Sequence, residues 1–181
     1  MALTKVPNSL LAGGGGGGGY TLGAEFDDTT SSGSILGTWS SIPAGWSELI
    51  VVLADGQTTI TATQRFRLGN SSGWNAGISG RSQLHNSSAN QAWASGYVYF
   101  NTAQANTTWQ DGVARVTCVN PSAAAASRRY IVFGMGTRDG VASWYMTGMI
   151  FGDEVAEFDR IEMSASGGTF SSTTTGAVYY F

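Results

Sequence analysis

Seven consecutive glycines, Gly13 to Gly19, separate the first twelve residues from the rest of this 181-residue chain. Glycine has no Cβ, so it reaches backbone conformations that are closed to other residues and loses the most entropy when it is ordered. The run allows three interpretations: a flexible tether, a phosphate-binding loop, or an extended arm held by neighbouring protein. A phosphate-binding loop needs a strand before it and a lysine at its end, and the sequence supplies neither. Because contacts must offset the entropy of ordering seven glycines, we predict an extended arm that lies against a partner surface.

The segment before the glycines is moderately apolar, is interrupted by Pro7 and is too short to fold alone, so we expect it to dock on a partner protein. Residues 20–34 are rich in Gly, Thr, Ser and Asp, which indicates a loop or a weak first strand. The predicted organisation is therefore a docking arm at 1–34 followed by a β-sandwich domain at 35–181. The residues expected to make the docking contacts are Val6, Leu10, Leu11, Gly13, Gly16 and Gly19.

Beyond Ser34 the chain consists of short β-rich segments separated by turn residues. The run from Leu49 to Leu53 is apolar on both faces, which indicates a central strand. Helix-forming sequence is nearly absent, and the C-terminal segment is too apolar to be left unpaired. These features predict an all-β, jelly-roll-like antiparallel sandwich that is closed by its last strand. The predicted strands are 35–42, 46–54, 65–68, 77–84, 96–101, 113–119, 128–135, 141–151, 157–164 and 174–181.

Charged residues make up only 12% of the chain, which is about half of the roughly 25% usual in soluble domains. We expect such a surface to be covered in part by other protein. The formal net charge of −3 argues against nucleic-acid binding, because no basic excess is available to neutralise phosphates. No apolar run approaches the about 18 residues that span a bilayer, and the start does not have the pattern of a signal peptide. We therefore expect no membrane partner, and synthesis and assembly in a cytoplasm.

Few side chains form the clusters that chemistry requires. Cys118, the single cysteine, excludes an internal disulfide and is expected to be a small buried apolar residue. His85, the single histidine, lies in a polar turn, so neither a catalytic triad nor a histidine zinc site is expected. Asp27 and Asp28 lack the spacing of a calcium-binding loop. The sequence predicts a protein without enzymatic activity, cofactor or metal.

A second acidic group near the C-terminus has two interpretations. Glycosidases use a pair of carboxylates, for which Glu157 and Asp159 are the candidates. A solvated turn and strand face explains the same residues without chemistry, and we favour it. The group consists of Asp153, Glu154, Glu157, Asp159 and Glu162.

Three tryptophans lie in segments rich in Gly, Ser, Asn and Thr: Trp74, Trp93 and Trp109. Tryptophans in such loops stack on sugar rings or anchor protein interfaces. Since the chain has few charges, the interface interpretation is the better supported, and glycan stacking is the alternative.

Several short stretches carry a resemblance. Ile42 and Pro43 open a stretch that leads into the apolar strand ending at Leu53, and the turn Leu-Gly-Asn-Ser-Ser-Gly follows at 68–73. Near the C-terminus come an arginine-containing strand at 159–163, a Gly-Thr-Phe turn at 168–170 and a closing strand at 176–181. These stretches resemble a module of tailed-bacteriophage virion proteins that is often described as tail fibre, and the opening Met-Ala-Leu-Thr-Lys-Val is similar to the start of many phage fibre and spike proteins. The resemblance covers most of the chain from residue 42.

The resemblance implies a non-enzymatic structural protein of the virion, assembled in the host cytoplasm. Its arm is expected to dock on other virion proteins of the capsid or tail and to display the sandwich on the particle, with a homotrimer as the expected oligomer. Long fibre proteins continue with a coiled shaft or an enzymatic domain, whereas this chain has the glycine run and one small domain. A tail component and a capsid decoration protein therefore both stay open. The alternative function is a carbohydrate-binding module that recognises a host surface glycan.

Overall fold

The structure, a computed structural model, describes residues 19–84, 90–93, 96–100, 110–138, 142–152 and 156–181. These residues form thirteen β-strands and one 3₁₀ turn, Ala125–Ser127, and the described ranges contain no α-helix. The strands are β1 Thr21–Phe26, β2 Ile35–Trp39, β3 Glu48–Ala54, β4 Gln64–Asn70, β5 Gly73–Trp74, β6 Ile78–Leu84, β7 Asn90–Ala92, β8 Val98–Tyr99, β9 Gln110–Cys118, β10 Arg129–Arg138, β11 Ala142–Phe151, β12 Arg160–Ala165 and β13 Thr175–Tyr180.

The strands form two sheets. The larger has eight strands in the order β1-β13-β3-β9-β10-β11-β6-β7, and the smaller has the order β2-β12-β4-β5 with β8 also paired to β4. Every strand pairing is antiparallel. The prediction of an antiparallel all-β sandwich is confirmed.

The hydrophobic core lies between the sheets because successive side chains of a strand point to opposite faces. In β3, Leu49, Val51 and Leu53 are buried, and in β4 Phe66 and Leu68 are buried. One apolar cluster contains all five of these side chains. The C-terminal strand β13 pairs with both β1 and β3, so it lies inside the larger sheet rather than at its edge.

The strand β1 lies within the segment that the sequence assigned to the arm. It pairs with β13, and its last residue, Phe26, is buried with 4% of its surface exposed. The Phe26 ring fills the space beside Gly37 of β2, where an added Cβ would lie 2.2 Å from the ring. The sandwich therefore begins at Thr21, not at residue 35. The composition of residues 20–34 is a weak signal here, because the strand within them, Thr-Leu-Gly-Ala-Glu-Phe, is held by its pairing with β13 and by the burial of Phe26.

The segment before β12 also differs from the simple alternating pattern. Phe158 and Ile161 are both buried, although their spacing would place them on opposite faces of one strand. The strand begins only at Arg160, so Phe158 precedes it and packs into the core independently of its register.

An aromatic cluster joins this segment to the larger sheet. The Tyr130 ring stacks on Trp46 at a centroid distance of 5.1 Å and lies 5.3 Å from the Phe158 ring. The Trp46 indole N–H donates a hydrogen bond of 3.0 Å to the Phe158 carbonyl, which satisfies the polar edge of a buried ring.

Burial of Tyr130 makes stability depend on alkaline pH. Burial raises the pKa of Tyr130 from 10.0 to about 12, since the phenolate would form away from water. In the unfolded chain the phenol ionises from pH 10 upward, so the stabilisation is complete below pH 10 and is lost as the pH rises to about 12. The expected loss is on the order of 2 kcal/mol. Urea unfolding on both sides of this interval should show a smaller loss for Tyr130→Phe than for the wild type, and equal losses would contradict the assignment to Tyr130.

Candidate assembly surface

The outer face of the eight-stranded sheet carries exposed apolar side chains on its central strand β10, with Arg115 and Thr147 as the cross-strand neighbours of Phe133. On β10, Ile131, Phe133 and Met135 point away from the core and are 46%, 60% and 49% exposed. In register with Met135 lie Val113 of β9 and Tyr145 of β11, which are 38% and 39% exposed. We call these five side chains the apolar face.

An apolar face of this kind is unusual for an antiparallel sheet. One side of such a sheet commonly packs on the core while the other is polar and faces water. Here β10 is apolar on both sides, since Tyr130 and Val132 are buried in the core while Phe133 is the most exposed large apolar residue of the described chain. Contiguous exposed apolar surface marks sites where a protein binds another protein or a ligand.

A polar network borders the apolar face at one end of the strands. The Glu48 carboxylate accepts hydrogen bonds from the Tyr20 hydroxyl, the Arg115 guanidinium and, at 3.5 Å, the Thr117 hydroxyl. Burial opposes the charged form of Glu48, but the hydrogen bonds from Arg115 and Tyr20 outweigh it and lower the pKa of this carboxyl. The network ties Tyr20 to β3 and β9, so the chain just before β1 is fixed to the sheet.

A groove of about 610 Å³ lies at the other end of the apolar face. Its floor includes Val113, Met135 and Tyr145 from that face, extended by apolar side chains of β3 and β13. Among the described residues that line it, four are carboxylates and none is a lysine or arginine: the four are Glu25, Asp27, Asp55 and Asp111.

Two turns hold the carboxylates at this groove. Asp55 is in a left-handed conformation with φ of 50°, which Asp tolerates better than most residues, and its backbone N–H donates a 2.9 Å hydrogen bond to Asp111 Oδ1. Asp27 accepts hydrogen bonds from both the backbone N–H and the hydroxyl of Thr29. Burial raises the pKa of Tyr179, and the nearby Glu25 carboxylate raises it further. The described lining of the groove therefore combines carboxylates with apolar side chains.

Most of the predicted docking residues lie outside the described ranges: Val6, Leu10, Leu11, Gly13 and Gly16. Gly19 is described, is exposed, and stands two residues before β1. Trp109, His85, Asp153 and Glu154 also lie outside the described residues.

Trp93 is not a surface residue, which corrects its prediction as an interface or glycan-stacking side chain. Only 6% of its surface is exposed, and it belongs to the core cluster. Its ring lies over Gly80 and Gly148, paired glycines of β6 and β11, where an added Cβ would come within 2.5 Å and 2.3 Å of the ring. The indole N–H donates a 3.1 Å hydrogen bond to the Ser82 hydroxyl. Two glycines thus leave a flat site that the ring fills.

Trp74 is partly exposed, but one side of its ring is already occupied. The Arg67 guanidinium lies 4.2 Å from the Trp74 ring centroid and 5.0 Å from that of Tyr97. The Arg65 guanidinium also lies over the Tyr97 ring, 3.7 Å from its centroid. These cation–π contacts stabilise the outer face of the smaller sheet.

The carboxylates predicted as a solvated face are engaged in ion pairs. Glu162 is buried with 4% of its surface exposed and pairs with Arg67 at 2.8 Å, so the solvated interpretation is wrong for this residue. Glu157 pairs with Arg128 and also accepts a 2.8 Å hydrogen bond from the Gly45 N–H. Asp159 pairs with its neighbour Arg160 at 3.2 Å.

The burial of Glu162 is explained by the strand register, which places it directly across from Arg67.

Within the described ranges, no three potential metal ligands come together. Cys118 is buried, as predicted.

Of the residues the structure describes, none belongs to a helix long and apolar enough to cross a membrane. Comparisons of the chain with protein-family models, with curated proteins and with solved structures found no match.

Proposed function

We propose that this chain is a non-enzymatic structural protein of a tailed-bacteriophage virion, assembled in the host cytoplasm as a homotrimer. Its arm docks on other virion proteins, and the sandwich is displayed on the particle as a tail component or a capsid decoration. The observation that carries the assembly role is the apolar face, above all Phe133 with 60% of its surface exposed. The virion assignment rests on the sequence resemblance.

The energetics favour an interface at this face. Each Å² of apolar surface removed from water contributes about 25 cal/mol, so covering five large side chains supplies several kcal/mol toward association. Stable interfaces bury roughly 800 Å² on each partner and have an apolar centre depleted of charge. The low charged fraction of 12% fits a protein that covers part of its surface with other copies.

The carboxylates give less support to an enzyme. Glu157 and Glu162, two of the three described members of the acidic group, are held by the arginines Arg128 and Arg67. A catalytic pair needs one carboxyl free to donate a proton and the other free to act as base or nucleophile. We therefore retain the non-enzymatic proposal. The carbohydrate-binding alternative also loses support, since Trp93 is buried.

The assembly proposal is tested by the oligomeric state of purified protein. Light scattering coupled to gel filtration should give the mass of three chains for the wild type and of one chain for Phe133→Asp, because the substitution places a carboxylate at the centre of the interface. Ile60→Asp is the matched control, since Ile60 is 52% exposed, lies between β3 and β4 against Gly167 and Gly168, and belongs neither to the apolar face nor to the groove lining. The control should remain trimeric. A monomeric wild type, or equal dissociation of both variants, would contradict the proposal.

The virion assignment needs a separate test. Antibody labelling of purified phage particles should place the protein on the shell or on the tail, and many copies on the shell would identify a decoration protein. Particles that lack the protein altogether would rule out the virion role while leaving the self-association result intact.

A further inference from the structure

Tyr20 stands where the glycine run meets the sandwich. It directly follows Gly19 and carries the first side chain after Ala12. Because glycine has no side chain, the seven positions before Tyr20 cannot hold the chain by side-chain contacts. Regular strand pairing begins one residue later, where Thr21 lies across from Tyr180. Side-chain contacts that fix the entry into β1 therefore begin at Tyr20.

Two contacts hold the Tyr20 side chain. Its hydroxyl donates a hydrogen bond to the Glu48 carboxylate, and its ring packs on the Phe181 ring at a centroid distance of 5.9 Å. Burial raises the pKa of Tyr20, and the hydrogen bond to Glu48 raises it further, so the phenol keeps its proton and remains the donor. A hydrogen bond to a charged acceptor is stronger than one between neutral groups. The hydroxyl is therefore the main attachment of this residue.

The acceptor is held in place independently of Tyr20. The Arg115 Nε–H donates a 3.1 Å hydrogen bond to the Glu48 carboxylate, of which the side chain is only 15% exposed. The backbone N–H of Glu48 donates to the Phe181 carbonyl at 3.3 Å, and the Phe181 N–H donates to the Glu48 carbonyl at 3.0 Å. Both partners of Tyr20 are thus fixed to the sheet, so little further ordering is needed when Tyr20 binds them.

We propose that Tyr20 is the joint that fixes where the N-terminal arm leaves the sandwich, and that Glu48 is the residue that positions it. The arm then leaves beside Phe181, at the end of β3 opposite to the groove. Arg115, which holds Glu48, is the cross-strand neighbour of Phe133. A second copy seated on the apolar face would therefore lie next to the root of the arm. That consequence rests on the proposed self-association, whereas the joint itself is a property of a single chain.

Limited digestion of the full chain with chymotrypsin tests the joint, because this protease cleaves after both Tyr and Phe. Tyr20→Phe keeps the cleavage site and the ring against Phe181 and removes only the hydroxyl. Proteolysis of a folded protein follows the population of the locally opened chain. Cleavage after residue 20, identified by mass spectrometry, should be roughly fivefold faster in the variant, which corresponds to the loss of one hydrogen bond.

A double-mutant cycle assigns the effect to the pair. Glu48→Ala removes the acceptor and should accelerate cleavage after Tyr20 at least as much as Tyr20→Phe does. Adding Tyr20→Phe to Glu48→Ala should bring no further acceleration, because the hydroxyl has already lost its partner. Tyr180→Phe is the matched control: it removes a hydroxyl from the residue across from Thr21, and the structure gives that hydroxyl no hydrogen-bond partner within the described ranges. Its cleavage rate after residue 20 should equal that of the wild type.

Urea unfolding of the same variants separates a local joint from general stability. Tyr20→Phe should keep the wild-type unfolding midpoint while its cleavage accelerates. Equal cleavage rates in the wild type and Tyr20→Phe would overturn the joint, and additive accelerations in the double variant would overturn the role of Glu48. Equal acceleration by Tyr180→Phe would also overturn it, since loosening of this sheet end would then explain the result. A wild type that is monomeric in light scattering would refute the proposed self-association and leave the joint standing.

Discussion

Trp93→Ala is expected to lower the free energy of unfolding by about 3–5 kcal/mol, which is a large share of the total stability of a domain of this size. The substitution removes the ring that covers the paired glycines Gly80 and Gly148 and leaves a cavity lined by their backbone. Neither glycine has a side chain that could move into the space. The Ser82 hydroxyl also loses the hydrogen bond that it accepts from the indole N–H.

Urea unfolding followed by circular dichroism measures this effect. Trp93→Phe is the matched control, because it keeps an aromatic ring over the glycines and removes the hydrogen bond. It should cost clearly less than the alanine variant. If alanine costs less than about 1 kcal/mol, the size of an ordinary surface effect, then Trp93 does not contribute to the core as the structure indicates.

Trp93 also shows where sequence reasoning reaches its limit. The segment around it is rich in Ser, Asn and Gly, which indicates a surface loop. What buries the ring is the pair of glycines at positions 80 and 148, which are adjacent only after β6 and β11 pair. A local pattern carries no information on such a pairing. Glu162 is a similar case, since its burial depends on Arg67 lying across from it, 95 positions earlier in the chain.

Strand positions were predictable because they depend on local pattern. The predicted strands at 46–54 and 174–181 correspond to β3 Glu48–Ala54 and β13 Thr175–Tyr180. The function of a face was not predictable in the same way. Both β3 and β10 are apolar on both sides, but Phe133 of β10 is exposed, whereas Ile50 and Val52 of β3 are only partly exposed. The same pattern serves a central strand and an assembly surface, and only the fold distinguishes them.

Arg67→Ala is expected to cost about 3–5 kcal/mol, because it leaves the Glu162 carboxylate buried without its counter-charge. Glu162 has 5% of its side-chain surface exposed against 21% for Arg67, so the carboxylate is the less hydrated partner of the pair. The arginine also covers the rings of Trp74 and Tyr97. The alanine variant therefore loses a charge partner and a packing contact together.

Two further variants separate these contributions. Arg67→Met keeps an unbranched apolar stem against the two rings and removes the charge, so it loses both the ion pair with Glu162 and the cation–π contacts with Trp74 and Tyr97. Adding Glu162→Gln to Arg67→Met removes that carboxylate charge and should restore at least half of the lost stability, since breaking a buried pair from one side costs more than replacing both partners. Chemical denaturation of the three variants measures the difference. If the double variant is no more stable than Arg67→Met, the loss comes from packing against Trp74 and Tyr97, and the ion pair contributes little to the smaller sheet.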